Sequence, residues 1–351
     1  MDTVRVGIVG CEVMGPMHAQ AVAELPLTDL VAVADLIPER AQKVVQDFDA
    51  AIVYREGADL VTNPHVDLVI LALPACHRTQ LALAAFAHGK HVLTEKPVAM
   101  NAAEVEQMIA ARGNLKAACC SSRYRFRPGA EAATNFVASG ALGTLRAVHH
   151  RNFIAAGPPP MHTPPEWRLK RALNGGGFMM NWGCYDMDYL LGICGWSLRP
   201  RTVFAQSWTV PAQLAPNLPE GSDAETQYTA LIRCDGGTVL SFERGEYMPI
   251  AVENCWQIIG ERGSLRLDML GTERKQIVFD ECTAGGGTQS QVLWEGDEDA
   301  GEGMRGPLRD LAEAIRDDRE PSTSLERSLV IQKITDAVYH SAATGQAVQI
   351  D

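Results

Sequence analysis

The sequence predicts an α/β domain with a doubly wound parallel sheet over residues 1–122, followed by an α+β domain with a large, mostly antiparallel open sheet over residues 123–351. Three observations lead to this prediction. A chain of 351 residues is too long for one ordinary hydrophobic core. In its first third, short apolar runs alternate with segments of helical periodicity, which is typical of a parallel sheet covered by helices on both faces. After residue 122, strand-like segments follow one another, and Asp235-Gly236-Gly237 is a hairpin signal between two of them.

The first domain is expected to contain six strands with helices between them. The fourth strand is almost entirely apolar, as a strand buried on both faces should be. Asn101 and Glu104 form a capping box that begins the last helix. The predicted strands are residues 4–9, 30–34, 51–54, 66–73, a short segment ending before Lys96, and 115–121, and the predicted helices are 16–25, 38–48, 80–88 and 101–112.

The second domain is expected to begin with a helix and to continue mainly with strands. Glycine and acidic residues between 283 and 305 predict a mobile loop around one short strand near Val292. The predicted helices are residues 128–139, 308–317 and 325–344, and the predicted strands are 145–154, 202–210, 226–234, 238–244, 252–259, 264–268 and 276–279.

Composition and charge exclude several classes of partner. The net charge of −12 disfavours nucleic acid and acidic membrane surfaces. No apolar run reaches the roughly 18 residues of a membrane span, and the N-terminus has no signal-peptide pattern. Nine scattered cysteines, several of them inside apolar runs, favour reduced thiols in the cytoplasm over a disulfide framework. No cysteine spacing resembles a metal clip, so no metal site is predicted.

The turn after the first strand nearly matches a phosphate-binding glycine motif. Gly10 permits a tight turn and Gly15 permits close packing of helix and strand, but Glu12 replaces the middle glycine that approaches a pyrophosphate. At about 5 Å and an effective dielectric constant of about 20, each like-charge pair would cost roughly 3 kcal/mol. If the side chain turns to solvent, the helix N-terminus can still hold the phosphates. The candidate cofactor contacts in this turn are Gly10, Glu12, Val13, Met14 and Gly15.

An acidic residue closes the second strand where a ribose is commonly bound. Asp35 can accept hydrogen bonds from the adenosine ribose hydroxyls, although it can also serve as the N-cap of the next helix. No arginine follows directly to take a 2′-phosphate, since Arg40 lies further on within the helix, so NAD is favoured over NADP. Further candidate cofactor contacts lie at or after later strand ends: Leu73, Pro74, His77, Glu95 and Lys96.

Two polar groupings are candidates for catalysis. The segment Glu95-Lys96-Pro97 stops the fifth strand and holds a lysine at the carboxyl edge of the sheet, where ligands of open α/β folds bind. The alternative is a solvated lysine. Asn181, Tyr185 and Asp188 stand at i, i+4 and i+7, so an α-helix would place them on one stripe. This stripe either faces a polar pocket or belongs to an internal helix whose polar groups are merely hydrogen-bonded.

The sequence resembles the Gfo/Idh/MocA family of sugar and cyclitol oxidoreductases. The matching segments are Val-Gly-Ile-Val-Gly-Cys at 6–11, His-Val-Leu-Thr-Glu-Lys-Pro at 91–97, Arg-Phe-Arg-Pro at 125–128, Trp-Arg at 167–168 with Gly-Gly-Gly at 175–177, Ala-Val-Tyr-His-Ser-Ala at 337–342 and Thr-Gly at 344–345. The resemblance implies an N-terminal NAD(P)-binding Rossmann domain and a C-terminal domain whose open sheet often forms an oligomer interface, hence a homodimer or homotetramer. It also implies that Lys96 lies near the nicotinamide and the reacting hydroxyl.

The family commonly has Asp and His where this chain has Asn181 and Tyr185, and Tyr at the second place occurs in some branches. The mechanistic hypothesis is that Tyr185 acts as acid/base, because a nearby Lys96 ammonium would lower its reference pKa of about 10. Lys96 would also donate to the substrate, and Asn181 would orient it. Asp188 is interpreted as a structural carboxylate. The candidate substrate contacts are Arg125, Trp167, Arg168, Asn181 and Tyr185.

Three functions from different classes remain open. The first is an NAD(P)-dependent oxidoreductase acting on a secondary alcohol or ketone of a sugar, cyclitol or sugar derivative. The second is a redox-assisted glycosidase or epimerase with resident NAD. The third is a non-catalytic binding protein on the same scaffold, as Glu12 would suggest. Arg123, Arg125 and Arg168 could grip an anionic substituent, but for the first two a solvated strand face is the alternative.

Overall fold

A computed structural model describes residues 3–48, 52–157, 165–250, 253–271 and 274–351. The chain divides into two compact units. Unit 1 comprises Met1–Arg123 and Ala300–Gln332, and unit 2 comprises Tyr124–Asp299 and Lys333–Asp351. Unit 1 therefore includes a segment, Ala300–Gln332, that the division at residue 122 places in the second domain.

Unit 1 contains a parallel six-stranded sheet in the order β3-β2-β1-β4-β5-β6, which confirms the predicted doubly wound fold. The order reverses between β1 and β4, and this is the point where such sheets bind ligands. The strands β1 and β4 are almost wholly buried because helices cover both of their faces. The strands are β1 (Val4–Val9), β2 (Thr28–Ala34), β3 (Ile52–Tyr54), β4 (Leu68–Leu71), β5 (His91–Thr94) and β6 (Ala117–Cys119).

Helices pack on both faces of this sheet, and each face has its own apolar core. On one face Val6, Ile8 and Ile70 pack with α1 (Met14–Glu24), α2 (Pro38–Phe48) and α9 (Glu302–Arg316). On the other face Val69, Leu71 and Val92 pack with α3 (Gly57–Val61), α4 (Arg78–Ala87), α5 (Ala102–Arg112) and the first residue of α10 (Leu325–Thr344). The predicted elements are present, with ends that differ by a few residues. Helix α3 was not predicted, and Ala51, predicted to begin β3, lies outside the described residues.

Unit 2 contains a nine-stranded sheet in the order β14-β13-β12-β11-β7-β10-β9-β8-β15. Strands β7 and β10 pair in parallel, and the other neighbouring pairs are antiparallel, which confirms the predicted mostly antiparallel sheet. The strands are β7 (Leu145–Ala155), β8 (Pro200–Trp208), β9 (Gln227–Cys234), β10 (Val239–Met248), β11 (Glu253–Gly260), β12 (Gly263–Leu267), β13 (Lys275–Thr283), β14 (Gly287–Gly296) and β15 (Val348–Gln349). Val252, predicted to begin β11, lies outside the described residues.

The short strand predicted near Val292 is present as β14, but it is longer than predicted and belongs to a hairpin, so residues 283–296 do not form the predicted loop around it. Strand β13 continues to Thr283, turns through glycines with positive φ at 285 and 287, and pairs with β14 as an antiparallel hairpin. Helix α9 then begins at Glu302. Glycines with positive φ are the residues that a tight turn requires, so here they connect two paired strands.

The helices of unit 2 include one that is completely buried. They are α6 (Pro128–Ala138), α7 (Arg171–Asn174), a π-helical turn (Met179–Gly183), α8 (Cys184–Ile193) and the last part of α10. Every residue of α8 is buried. All nine cysteines of the chain are free thiols. None of the helices in the described part of the chain combines the length and apolar composition that crossing a membrane requires.

Candidate active site

A groove of about 710 Å³ opens in unit 1 at the carboxyl edge of the parallel sheet, beside the switch point between β1 and β4. Six of the predicted cofactor contacts line it: Gly10, Glu12, Asp35, Leu73, Pro74 and His77. Val13, Met14, Gly15, Glu95 and Lys96 are not among its lining residues, although the first three continue the same turn into helix α1. Val9, Leu36, Ile37, Leu73 and Leu81 give the groove apolar walls, which suit an adenine ring.

The two glycines of the turn are required by its geometry. Gly10 has φ +95°, and a Cβ there would lie 2.3 Å from the carbonyl oxygen of Ala72. A Cβ at Gly15 would lie 2.2 Å from the carbonyl oxygen of Gly10. These contacts let β1 turn directly into α1, whose N-terminal N–H groups suit a pyrophosphate. The turn therefore fits a dinucleotide.

Glu12 does not close the turn. Its side chain is 56% exposed, and its Oε1 lies 2.8 Å from Nη2 of Arg40 on α2. The carboxylate is thus turned toward a cation on the neighbouring helix. This is the arrangement in which the helix N-terminus stays available to phosphates.

Asp35 anchors the turn as well as ending β2. Its Oδ2 accepts a hydrogen bond from the backbone N–H of Cys11 at 2.7 Å, and its Oδ1 accepts one from Ile37 at 2.8 Å. The bond from the Ile37 N–H caps the backbone directly before α2, so Asp35 also fulfils part of the helix-capping role that the sequence allowed for it. Each carboxylate oxygen can accept a further bond, which leaves capacity for ribose hydroxyls.

Glu95 lies in a buried charged cluster. Its Oε1 lies 2.9 Å from His18 Nε2 and 2.5 Å from Arg123 Nη2. Burial raises the pKa of the Glu95 carboxyl, but Arg123, His18 and Arg78 outweigh it and hold the pKa well below its usual range. Cys120 is close enough to His18 and Glu95 to complete a set of metal-ligand side chains, but the Arg123 cation on the same oxygen opposes a metal ion. The carboxylate is therefore committed to organising the end of β5.

Lys96 is held by its backbone next to this cluster. Its N–H donates to Glu95 Oε2 at 3.1 Å, and the peptide bond to Pro97 is cis. Arg78 donates from Nη1 to the carbonyl oxygens of Glu95, at 2.6 Å, and of Pro97. The lysine side chain is half-buried. One buried arginine thus fixes the backbone on both sides of Lys96.

The predicted polar stripe in unit 2 begins in a π-helical turn, which the sequence did not reveal. Asn181 lies in that turn and Tyr185 in the first turn of α8, and their exposed fractions are 5% and 3%. The ring of Tyr185 packs edge-on against Tyr124, with centroids 5.2 Å apart, and against Trp182 at 5.5 Å. π-Turns are frequent at functional sites because they displace one residue from the regular helix. Asn181 and Tyr185 are thereby presented from consecutive turns within an aromatic setting.

The predicted substrate arginines are paired with carboxylates. Arg125 forms an ion pair with the fully buried Asp188, and a Cβ at Gly192 would lie 2.0 Å from Arg125 Cδ. Arg168 lies 3.2 Å from Glu246, and its guanidinium stands over the Phe178 ring at 5.0 Å. Trp167, in the short turn before α7, is half-buried.

Glu225 is a residue that sequence reasoning missed. It is buried, and its carboxylate accepts hydrogen bonds from the backbone N–H of Gly177 (3.0 and 3.1 Å), from that of Met179 (3.0 Å) and from Tyr339 Oη (2.7 Å). Burial raises the pKa of this carboxyl despite these bonds. Glu225 therefore holds the start of the helical segment that carries Asn181 and Tyr185. No local sequence signal marks it, because its backbone partners lie more than 40 residues earlier.

A second buried ion pair lies behind the same helix. Asp186 Oδ2 lies 2.8 Å from Arg244 Nη1, and its Oδ1 lies 3.1 Å from His150 Nε2. Burial raises the pKa of Asp186, but Arg244 and His150 outweigh it and lower the pKa. The guanidinium also stands 4.4 Å from the centroid of the Trp182 ring. The helix is thus tied to strands β7 and β10 by charge as well as by packing.

Comparison with family models finds two matches. Residues 4–121 match a model described as "Oxidoreductase family, NAD-binding Rossmann fold", and residues 130–266 match one described as "GFO/IDH/MocA C-terminal domain". Together they cover about seven tenths of the chain, in the order of units 1 and 2.

Curated relatives match over part of their length. An inositol 2-dehydrogenase of Rubrobacter xylanophilus is 35% identical over 43% of this chain and 45% of its own, and a levoglucosan dehydrogenase of Pseudarthrobacter phenanthrenivorans is 25% identical over 55% and 52%. A glycosyl hydrolase family 109 protein of Phocaeicola vulgatus is 36% identical over 31% of this chain and 25% of its own. The chain thus matches a quarter to about half of the length of these relatives.

Solved structures are similar over the whole chain. A levoglucosan dehydrogenase in complex with NADH and L-sorbose has a TM-score of 0.86 at 22% identity, with 100% of both chains covered. An aldose-aldose oxidoreductase from Caulobacter crescentus, complexed with glycerol, has a TM-score of 0.80 at 24% identity, with 99% and 100% covered. At this identity the likeness establishes the fold.

Proposed function

This chain belongs to the Gfo/Idh/MocA family of NAD-binding oxidoreductases, and we propose that it is an NAD-dependent dehydrogenase or ketoreductase acting on a secondary alcohol or ketone of an uncharged sugar or cyclitol. The observation that carries the proposal is the groove at the switch point of unit 1, which Gly10 and Asp35 line and beside which the turn continues into α1. The relatives named as inositol and levoglucosan dehydrogenases support a polyol substrate.

The proposed cofactor is NAD, which when bound supplies or accepts the hydride. Asp35 would bind the adenosine ribose hydroxyls, and the N–H groups at the start of α1 would bind the pyrophosphate. Leu73, Pro74 and His77, which line the groove after β4, would contact the rest of the dinucleotide. The ion pair of Arg40 with Glu12 supports NAD over NADP, because Arg40 is already matched by a carboxylate.

The proposed acid/base is Tyr185, with Asn181 orienting the substrate and Lys96 donating to the reacting oxygen. Tyr185 is buried among aromatic rings, which exclude water from the proton it transfers. The two carbonyls bound by Arg78 give that lysine a fixed backbone.

An uncharged substrate is proposed because the candidate arginines already have carboxylate partners. Arg125 pairs with Asp188, and Arg168 pairs with Glu246. An anionic substituent would meet guanidinium groups whose charge is already balanced, together with the negative charge of the balancing carboxylates. Trp167 and Arg168 would instead contact the apolar and hydroxyl groups of a sugar ring.

A homodimer or homotetramer in the cytoplasm is the proposed state. Phe204 of β8 and Leu231 of β9 are neighbours in register, and each is about half exposed. Apolar side chains paired on an open sheet face favour a second copy as their cover. Light scattering should give a dimer or tetramer mass, whereas a monomer at all concentrations would contradict this proposal.

A binding titration followed by a substrate screen tests the proposed function. Purified protein should bind NAD and then give a steady absorbance change at 340 nm with at least one uncharged sugar or cyclitol. The matched acids, such as uronates of the same ring, should react more slowly. Absence of any melting-temperature rise with millimolar NAD or NADP would reject the dehydrogenase and favour a non-catalytic scaffold.

A redox-assisted glycosidase is the second candidate, and the glycosyl hydrolase relative, 36% identical over 118 residues, favours it. In that reaction the hydride returns to the substrate, so the cofactor does not turn over. Nicotinamide retained through purification, glycoside cleavage and a flat 340 nm trace would establish it in place of net oxidation. Steady reduction of added NAD with a free polyol would exclude it.

A further inference from the structure

The unusual residue of the glycine turn faces the one arginine on α2 that lines the nucleotide groove. Glu12 occupies the place of the middle glycine, and its Oε1 lies 2.8 Å from Arg40 Nη2. Both side chains line the groove together with Asp35. The pair therefore stands beside the carboxylate that ends β2, which is the region where the adenosine ribose is proposed to bind.

The charged side chains that line this groove would disfavour a phosphate on the 2′-oxygen of the adenosine ribose. Three carboxylates line it, those of Glu12, Asp35 and Glu56, and two guanidinium groups, those of Arg40 and Arg55. Each arginine has a carboxylate partner, since Arg40 pairs with Glu12 and Arg55 Nε lies 3.9 Å from Glu56. A guanidinium binds phosphate best through its paired donors, and here Glu12 already takes one of the donors of Arg40.

We propose that Glu12 determines cofactor choice by masking Arg40, so that the groove accepts the free 2′-hydroxyl of NAD and rejects the 2′-phosphate of NADP. This inference rests on the proposed function and adds a specificity residue to it. A 2′-phosphate would meet the carboxylates of Glu12 and Asp35 and an arginine that is already neutralised. A free ribose hydroxyl carries no charge, and it needs only the remaining acceptor capacity of Asp35.

Glu12 can be substituted without unfolding the protein, because its ion pair with Arg40 is exposed. Glu12 and Arg40 are 56% and 38% exposed, and exposed ion pairs of this kind contribute little to folding stability. Glu12→Gln removes the charge at nearly constant size, and Glu12→Gly restores the usual glycine. Both variants should fold and should leave Arg40 free to bind an anion.

The test is a double-mutant cycle on binding, read by calorimetry with four ligands: NAD, NADP, 5′-AMP and 2′,5′-ADP. The last two differ only by the 2′-phosphate. Glu12→Gln should tighten NADP relative to NAD, and 2′,5′-ADP relative to 5′-AMP, by at least tenfold. Arg40→Ala alone should weaken NADP by no more than a few-fold, because it leaves the Glu12 charge uncompensated, whereas in the Glu12→Gln background it should abolish the gain.

Glu261→Gln is the matched control, because Glu261 also forms an exposed ion pair with an arginine, Arg146, and its loss changes the net charge equally. It should leave all four affinities unchanged. An equal gain in this control, no gain for NADP in Glu12→Gln or Glu12→Gly, or an equal effect of Arg40→Ala in both backgrounds would overturn the inference. Wild-type protein that binds NAD in these cases keeps the proposed function, whereas protein that binds neither dinucleotide loses both proposals.

Discussion

Replacing Glu225 by alanine should loosen the start of the helical segment that carries Asn181 and Tyr185. The substitution removes the acceptor for the N–H groups of Gly177 and Met179 and for Tyr339 Oη. Each buried donor left without a partner costs about 1–3 kcal/mol. Two backbone donors give about 2–6 kcal/mol, reduced because the burial cost that raises the pKa of this carboxyl is also removed. We expect a net loss of about 2–4 kcal/mol in local opening free energy.

Hydrogen exchange across residues 177–185 measures this loss directly. At about 1.4 kcal/mol for each factor of ten, exchange should accelerate roughly 30- to 700-fold. Glu225→Gln keeps one acceptor oxygen, and Tyr339→Phe removes only the hydroxyl donor, so both should accelerate exchange by about tenfold or less. The exchange of β1 in unit 1 and the melting temperature serve as controls for global unfolding.

Unchanged exchange at residues 177–181 in Glu225→Ala would refute the reasoning, because the hydrogen bonds to the Glu225 carboxylate would then not stabilise this segment. In a folded variant, a lower kcat with an unchanged affinity for NAD would further indicate that Glu225 acts by positioning Asn181 and Tyr185.

Three further outcomes are expected. Tyr185→Phe should lower kcat by about 10²- to 10⁴-fold, the usual contribution of an acid/base group, while calorimetry shows unchanged NAD binding. Gly15→Ala places a Cβ 2.2 Å from the Gly10 carbonyl oxygen, so it should lower folding stability by about 1–3 kcal/mol and weaken NAD binding. Gly157→Ala, which has nothing within 4 Å of its Cβ among the described residues, should do neither. Thermal melts and NAD titrations compare the two variants. Because the pKa of Glu95 is lowered in the folded state, its stabilisation is present above the unfolded value of about 4.3 and is lost as pH falls through the folded value; melting curves should show the deficit of Glu95→Gln shrinking in acid.

The parallel domain could be predicted closely because its sequence signals are local. Strands buried on both faces, such as Leu68–Leu71, are continuous apolar runs, and the capping box places the start of α5 correctly, with Asn101 accepting from Glu104 N at 3.0 Å. The groove at the switch point follows from strand order, which alternation of strands and helices indicates. The short helix Gly57–Val61 was missed because five residues carry too little periodicity.

The second domain was predicted less well because its deciding features are nonlocal. Strand β14 of the β13–β14 hairpin is largely exposed and mostly polar and lies near glycines, a composition also typical of loops. The four-residue spacing of Asn181 and Tyr185 fits an ordinary α-helix, and nothing in the sequence distinguishes it from the π-turn that the structure has at Met179–Gly183. Glu225 and its partner Tyr339 are 114 residues apart, and their contact exists only after folding.

The ion pairs between arginines and carboxylates could not be read from the sequence, and they bear most directly on the proposed charge of the substrate and of the cofactor ribose. An arginine near a candidate site indicates an anionic ligand, because its planar donors fit carboxylates and phosphates. In the folded chain such arginines face internal carboxylates, in the pairs Arg40–Glu12, Arg123–Glu95, Arg125–Asp188 and Arg168–Glu246. Breaking one of the three largely buried pairs, Arg123–Glu95, Arg125–Asp188 and Arg168–Glu246, by removing one partner's charge is costly, on the order of 3–5 kcal/mol. The exposed Arg40–Glu12 pair contributes much less to stability. An anionic substituent would compete with bonds that already exist. An uncharged polyol with NAD would leave all four pairs intact, and this is the reason for proposing that combination over acidic sugars or NADP.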